Sequence, residues 1–390
     1  MRWIRRAAWA AAFVASTCGA QTSVAGEGTR AKTTETLTTC KRLLEAPRAE
    51  GEADAAATAA YKRCVTTVYR GSIAQWPAPR IDAGVKWEEL APRSPLPPLP
   101  AQKAELVALG EQLFFDRRLS RDRDVSCASC HLPHLGFADA RRLPLGHGGA
   151  IGPRHTPHLF GIAFAPKLMW DGRAADLESQ ALLPIANPIE MAMDLDVLQK
   201  RLRDETDYAK RFDAVFGEGG VTLQRLGQAL AAFERRIEAP RSRYDDFIEG
   251  KREVFSEQEL RGLHLFRTQA RCMNCHSGPQ LTQHEFHQIG MSFIGRRQED
   301  RGRIVVTGKA EDLGAFRTPS LRGIGKTAPY FHQGITPNLH GVLELYNTGM
   351  PQPPKGHPKQ AEIPPPSPLI KPLRLSLQDM KDLEAFLNTL

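Results

Sequence analysis

Nowhere after its first twenty residues does this 390-residue chain hold eighteen consecutive apolar residues, which excludes a conventional helical membrane span. It also lacks a Lys/Arg block of the kind that forms a nucleic-acid-binding arm. Period-two alternation is missing too, and no segment reads as a convincing strand. Cysteine is scarce at seven residues, so each one can be asked what it does.

The first twenty residues supply part of the charge excess, and the destination. MRWIRR is basic, AAWAAAFVAS is a short apolar stretch, and CGA offers a small-residue cleavage site before Gln21. Residues 1–20 therefore read as a signal peptide, with a lipoprotein site at Cys18 the weaker alternative because Thr17 suits it poorly. The mature protein is expected in the periplasm. Setting aside Arg2, Arg5 and Arg6 leaves 49 basic against 44 acidic residues, and the formal charge falls from +8 to +5. Neither nucleic acid nor a membrane is an expected partner.

In an oxidising compartment Cys40 and Cys64 are expected to pair. TTCKRLLEA and TAAYKRCVTTVY both look helical, so the bond would staple a helical hairpin over about residues 32–70. The proline-rich stretches WPAPRIDAG and APRSPLPPLPAQ follow as an extended linker, and the extension is placed at 21–95. Helical spacing then takes over: Leu106, Leu109 and Leu113 share a face, and Thr222 caps a stripe of Leu223, Leu226, Leu230, Phe233 and Ile237. Ser256 with Glu259, and Ser376 with Asp379, make capping boxes. Residues 351–368 are too proline-rich for helix or central strand and read as a surface loop. The fold class is mainly α with long loops.

The other four cysteines lie in CASCH, residues 127–131, and CMNCH, residues 272–276. A bare CxxC serves zinc or redox chemistry equally well. A histidine directly after it points instead to haem c: two thioethers fix the porphyrin and the imidazole ligates the iron. The reading is two covalently bound haems c, on Cys127 and Cys130 with His131, and on Cys272 and Cys275 with His276.

The surroundings of the two pentapeptides repeat. LGEQLF precedes the first and RGLHLF the second, aligning Gly110 with Gly262. Downstream, TPHLFGIAFAPKLMWDG matches TPSLRGIGKTAPYFHQG, with fifteen residues from Pro157 to Gly172 and from Pro319 to Gly334. The chain is thus two tandem cytochrome c-type haem domains, 96–240 and 241–390, behind a helical-hairpin extension. Leu177 and Leu339 correspond, and seven residues beyond them stand Pro184 and Tyr346. If that position overlies the iron, the first haem meets a ring with no donor and the second a phenol that can ligate. Met350 and His340 remain alternatives to Tyr346.

These residues resemble the bacterial dihaem cytochrome c peroxidase and MauG superfamily, from about residue 100 to the C-terminus. MWDGRAADLESQALLPIANPIEM carries the family spacing in Trp170, Gln180, Pro184 and Glu190. The resemblance implies that Trp170 couples the haems, that Gln180 and Glu190 line the distal pocket of the first, and that Glu190 moves a proton between peroxide oxygens. The position of Tyr346 is methionine in the peroxidase branch and tyrosine in MauG-like enzymes. His147, sixteen residues past His131, matches a displaceable histidine that caps the first haem at rest; an exposed loop histidine is the alternative.

The resemblance also implies a calcium ion between the domains. Thr327 and Pro329 match its carbonyl ligands, but His155 replaces the usual asparagine, and imidazole suits a hard cation poorly. Function follows as an expectation. Hydrogen peroxide is reduced at an open first haem, with electrons entering through the second from a small periplasmic donor, cytochrome c or cupredoxin. The MauG-like alternative oxidises residues of a partner protein instead. A non-enzymatic electron-transfer cytochrome is the rival of another class, and the oligomeric state stays open between monomer and homodimer.

Overall fold

Several helices begin at a polar side-chain cap. The computed structural model describes residues 36–46, 55–96, 98–204, 206–353, 356 and 363–390; the leader and most of the proline-rich stretch at 354–362 lie outside these. In chain order the helices are α1 over residues 36–45, α2 Ala55–Tyr69, α3 Ala101–Phe115, α4 Leu177–Ala186, α5 Leu195–Asp204 and α6 Thr206–Phe216. There follow α7 Leu223–Glu234, α8 Arg243–Ile248, α9 Glu257–Arg267, α10 Ile304–Thr307, α11 Leu339–Asn347 and α12 Leu377–Leu387. The Thr222 hydroxyl accepts from the Arg225 amide, and both capping boxes close, at Ser256 and Ser376. Helix α7 stops at Glu234, so Ile237 is buried from the turn beyond it and not from the helix. A two-residue antiparallel pair, β1 Phe286–His287 with β2 Phe316–Arg317, is the sheet content among the described residues.

Two buried cores divide the chain. Leu109, Leu113 and Phe114 of α3 pack with Leu226 and Leu230 of α7 in the first. Leu260, Leu263 and Phe266 of α9 pack with Leu383, Phe386 and Leu387 of α12 in the second. Each such side chain contributes about 1.5–3 kcal/mol through burial. The duplication is visible at the crossings: a Cβ on Gly110 would strike the Ala229 carbonyl, and one on Gly262 the Asp382 carbonyl. Glycine at the repeated position lets each helix pair approach closely.

The Cys40–Cys64 disulfide forms, joining α1 to α2. The extension is not the separate unit its composition suggested. Val65, Val68 and Tyr69 of α2, with Trp76 and Leu90 of the proline-rich stretch, belong to the second core. Tyr69 Oη lies 3.0 Å from His264 Nδ1, the Arg80 amide donates to the Arg267 carbonyl, and Arg267 pairs with Glu89. Non-periodic sequence is here folded sequence, held by single anchors. Among the described residues no helix is long and apolar enough to cross a membrane.

Candidate active site

Each pentapeptide folds as a single tight turn, Cys127–Ser129 and Cys272–Asn274. The His131 amide donates to the Cys127 carbonyl (2.9 Å) and the His276 amide to the Cys272 carbonyl (2.8 Å), which keeps each imidazole beside its cysteines. His131 Nδ1 lies 2.8 Å from the Phe137 carbonyl and His276 Nδ1 3.0 Å from the Leu281 carbonyl. A carbonyl only accepts, so Nδ1 carries the proton and Nε2 keeps the lone pair a metal needs. Burial lowers both histidine pKa values, that of His276 to about 4, so both rings are neutral at pH 7.

The four cysteines are unpaired. Burial pushes the thiols up, Cys130 to about 11 and Cys275 to about 12, which does not suit a redox dithiol. No cluster of three metal-ligating side chains exists among the described residues. Thioether attachment has no need of an acidic thiol, and the residues fit haem c.

A cavity of about 880 Å³ adjoins the first pentapeptide, within the size range of cofactor sites. Its wall includes Cys127, Cys130 and His131, and it brings in Trp170, Gln180, Pro184 and Glu190 from the following segment. Asp176 caps α4 through the Ser179 amide, and the helix carries Gln180 and Pro184. Gln180 Nε2 lies 3.7 Å from Met169 Sδ, and the Pro184 ring offers the cavity no donor. The Trp170 indole N–H donates to the His155 carbonyl (2.7 Å). Its own carbonyl accepts from the Arg317 amide of β2 (2.9 Å), so both halves of the chain hold it.

Glu190 sits just past α4, its Oε1 accepting from Asn187 Nδ2 at 2.8 Å. Burial raises its pKa above the usual carboxyl range, against the opposing pull of the Arg173 charge and the Asn187 bond. Two further charges in the cavity wall, each with a buried atom that lacks a hydrogen-bond partner, escaped the sequence reading. Glu234, at the end of α7, is buried with Oε2 unpartnered, and burial raises its pKa to about 8. It lies four residues past Leu230 on the apolar stripe, and a carboxylate there was the available signal. Arg317 is the other, and a two-residue strand gives it no pattern.

At the second pentapeptide, Tyr346 lies in the last turn of α11, its phenol raised in pKa by burial and then by Cys275 and Cys272. His340 faces Glu344 (3.4 Å) and Glu384 (3.5 Å) instead. Met350 is buried, four residues beyond the tyrosine.

His147 does not line the cavity, although its neighbour Gly146 does. Its ring lies against Asp122 and Asp124, at 3.4 Å and 3.3 Å, while its amide donates to the Glu190 carbonyl. Gly148 and Gly149 follow with positive φ, a backbone that needs glycine. At the expected calcium position, Thr327, Pro329 and His155 line a smaller cavity of about 60 Å³ between the domains. His155 Nδ1 is engaged by the Arg141 carbonyl, and the remaining lining is imidazole, guanidinium, hydroxyl and apolar, without a carboxylate. These side chains offer no hard anionic donor, so a cation here would rest on the carbonyl oxygens of Thr327 and Pro329.

Fold and site define a tandem c-type cytochrome with a cofactor-sized cavity at one of its two CxxCH sequences. A family model for di-haem cytochrome c peroxidase matches residues 104–253. The cytochrome c551 peroxidase of Nitrosomonas europaea is 36% identical over 259 residues, covering 65% of this chain and 77% of that protein. The methylamine utilization protein MauG of Methylorubrum extorquens is 37% identical over 287 residues, covering 73% and 78%. A solved MauG-like protein associated with microbial copper homeostasis superposes with a TM-score of 0.66 at 31% identity, over 80% of this chain and 95% of that one. The chain belongs to the dihaem cytochrome c peroxidase and MauG family, and is an oxidoreductase with haem c as its cofactor.

Proposed function

We propose that this protein is an exported peroxidase that reduces hydrogen peroxide in the cavity of the first domain. The observation that carries the reading is that one cavity gathers His131 and its cysteines with Glu190, Gln180, Pro184 and Trp170. A haem c on Cys127, Cys130 and His131 would supply there an iron able to bind peroxide and pass it electrons. Each turnover takes two electrons and two protons per peroxide and releases two waters. Glu190 would move a proton from one peroxide oxygen to the other, as a positioned general acid–base does. Its burial raises its pKa, which favours return of the proton, and Asn187 holds the carboxyl in place. Gln180 orients the substrate by hydrogen bonding. Pro184 leaves the approach free of a competing ligand.

Trp170, fixed by His155 and Arg317, lies on the route for electrons from the second domain, where Cys272, Cys275 and His276 would hold the second haem and Tyr346 would be available to it as a ligand. A small redox protein would be the donor. Tyr346 favours a second reading, in which the electrons come from side chains of a partner protein as in MauG-like enzymes, because a phenolate stabilises oxidised iron. No step is assigned to calcium. The test is intact mass followed by stopped-flow mixing of peroxide with the diferric protein. A gain of two haems with a rapid spectral change is expected. Fewer than two haems, or an inert diferric protein that stays inert after half-reduction, would sink the proposal.

A further inference from the structure

Arg317 is a buried cation without a described anion. It is 8% exposed, and its Nε is buried with no hydrogen-bond partner. The one described side-chain contact is Nη1 to His284 Nδ1 at 3.4 Å, and burial holds that imidazole neutral, its pKa lowered to about 4. The half-buried arginine of the large cavity, Arg154, is by contrast neutralised, bonding both Asp171 and Asp300. Asp171 also takes Arg173, and Glu190 is held by Asn187, so neither carboxylate is committed to Arg317. Arg317 lines both the large cavity and the small one between the domains, and the small one contains no carboxylate. Burial alone, with no opposing charge, lowers its pKa to about 10. A guanidinium buried in this way is strongly disfavoured unless an anion joins it, and its planar fork matches the two oxygens of a carboxylate.

We propose that Arg317 is the residue that pairs with a propionate carboxylate of the haem in the first cavity; this rests on the haem reading above. Haem c is tethered through its vinyl edge, and its two propionates leave from the other edge, where a buried carboxylate is stabilised by a cation. The small cavity, at about 60 Å³, has room for little more than water, whereas the large one has room for the macrocycle. The arrangement has a consequence for electron transfer. The Arg317 amide holds the Trp170 carbonyl, so one residue sets both the charge state of the haem edge and the position of the interdomain indole.

The test compares holo wild type with Arg317→Met and Arg317→Lys. Intact mass comes first, then the midpoint potential of each haem between pH 5 and 8, then resonance Raman of the propionate bending modes. Arg317→Met should keep both thioether-bound haems. The potential of its first haem should fall, because a cation that disfavours ferric iron is gone. That potential should also become pH-dependent as the unpaired propionate takes up a proton. Arg317→Lys should keep a potential near wild type but shift the propionate mode, which preserves the test if the methionine variant fails to assemble. Unchanged potentials and unchanged propionate modes in haem-replete variants would overturn the proposal. So would a wild-type potential that moves with added inorganic phosphate, since Arg317 would then be serving a soluble anion. A wild type with fewer than two haems would instead overturn the haem reading on which it rests.

Discussion

Asn187 Nδ2 holds Glu190 Oε1 at 2.8 Å, and no described hydrogen bond engages the other carboxyl oxygen. One oxygen is fixed and the other is free to exchange a proton, the division a general acid–base needs. Glu190→Gln should slow peroxide turnover on the order of 10²–10⁴-fold with haem content unchanged. The pH profile carries a second check. The carboxyl must be ionised to accept the first proton, and burial raises its pKa. Wild-type turnover should therefore fall as pH drops through a value above the usual carboxyl range, and the glutamine variant should lose that limb. A near-wild-type rate in the variant would remove Glu190 from the mechanism.

Glu234 gives a stability prediction of definite sign. Its pKa rises from 4.5 to about 8 in the fold, so between these values the native state holds a proton that the unfolded state has lost. Stability should then fall with rising pH across that window, by roughly 1.4 kcal/mol per unit at most. Glu234→Gln should flatten the slope, leaving the variant at least as stable as wild type at pH 8 and little changed near pH 4. Denaturant melts across pH would measure it. Parallel slopes for the two proteins would mean that Glu234 is not held protonated.

The paired glycines test the division of the chain at residue 240. Gly110→Ala drives a methyl into the Ala229 carbonyl, and Gly262→Ala into that of Asp382. Each should cost about 1–3 kcal/mol of overpacking strain. If the two cores unfold as units, Gly110→Ala should lower the transition reported by the first haem and Gly262→Ala that of the second. The hairpin should follow the second, because α2 shares that core. Equal shifts of one common transition would merge the domains.

What the sequence made legible was local or repeated. The pentapeptides, the aligned glycines and the caps at Thr222, Ser256 and Ser376 depend on near neighbours, and the structure has them. Trp76 stacks on Phe247, and Leu90 is buried in the same core, far from its own neighbours in sequence; a proline-rich stretch has no period to announce either. His147 shows the same limit. Its spacing from His131 is readable, but its contact with Asp122 and Asp124 is tertiary. Buried charges such as Arg317 leave no pattern, since what marks them is the absence of a partner in space.

Tyr346 as a ligand of the second haem can now be argued from three directions. The repeat aligns it with Pro184, which lines the first cavity. The structure sets its phenol near enough to Cys272 and Cys275 for both to raise its pKa, and it turns His340 away to Glu344 and Glu384. Burial resists ionisation of the free phenol, so the iron itself must supply the positive charge that removes the proton. Tyr346→Phe should then leave the second haem five-coordinate or filled by water, with its spectrum changed, while the first haem keeps its own. Tyr346→His should give a six-coordinate bis-histidine spectrum at that haem, because imidazole is also a competent ligand. Met350 is the competitor, buried and only four residues on. Met350→Leu should leave the second haem's spectrum as it was. If it is Met350→Leu that alters the spectrum and Tyr346→Phe that does not, the ligand is the thioether, and with it goes the main reason to expect oxidation of a partner protein.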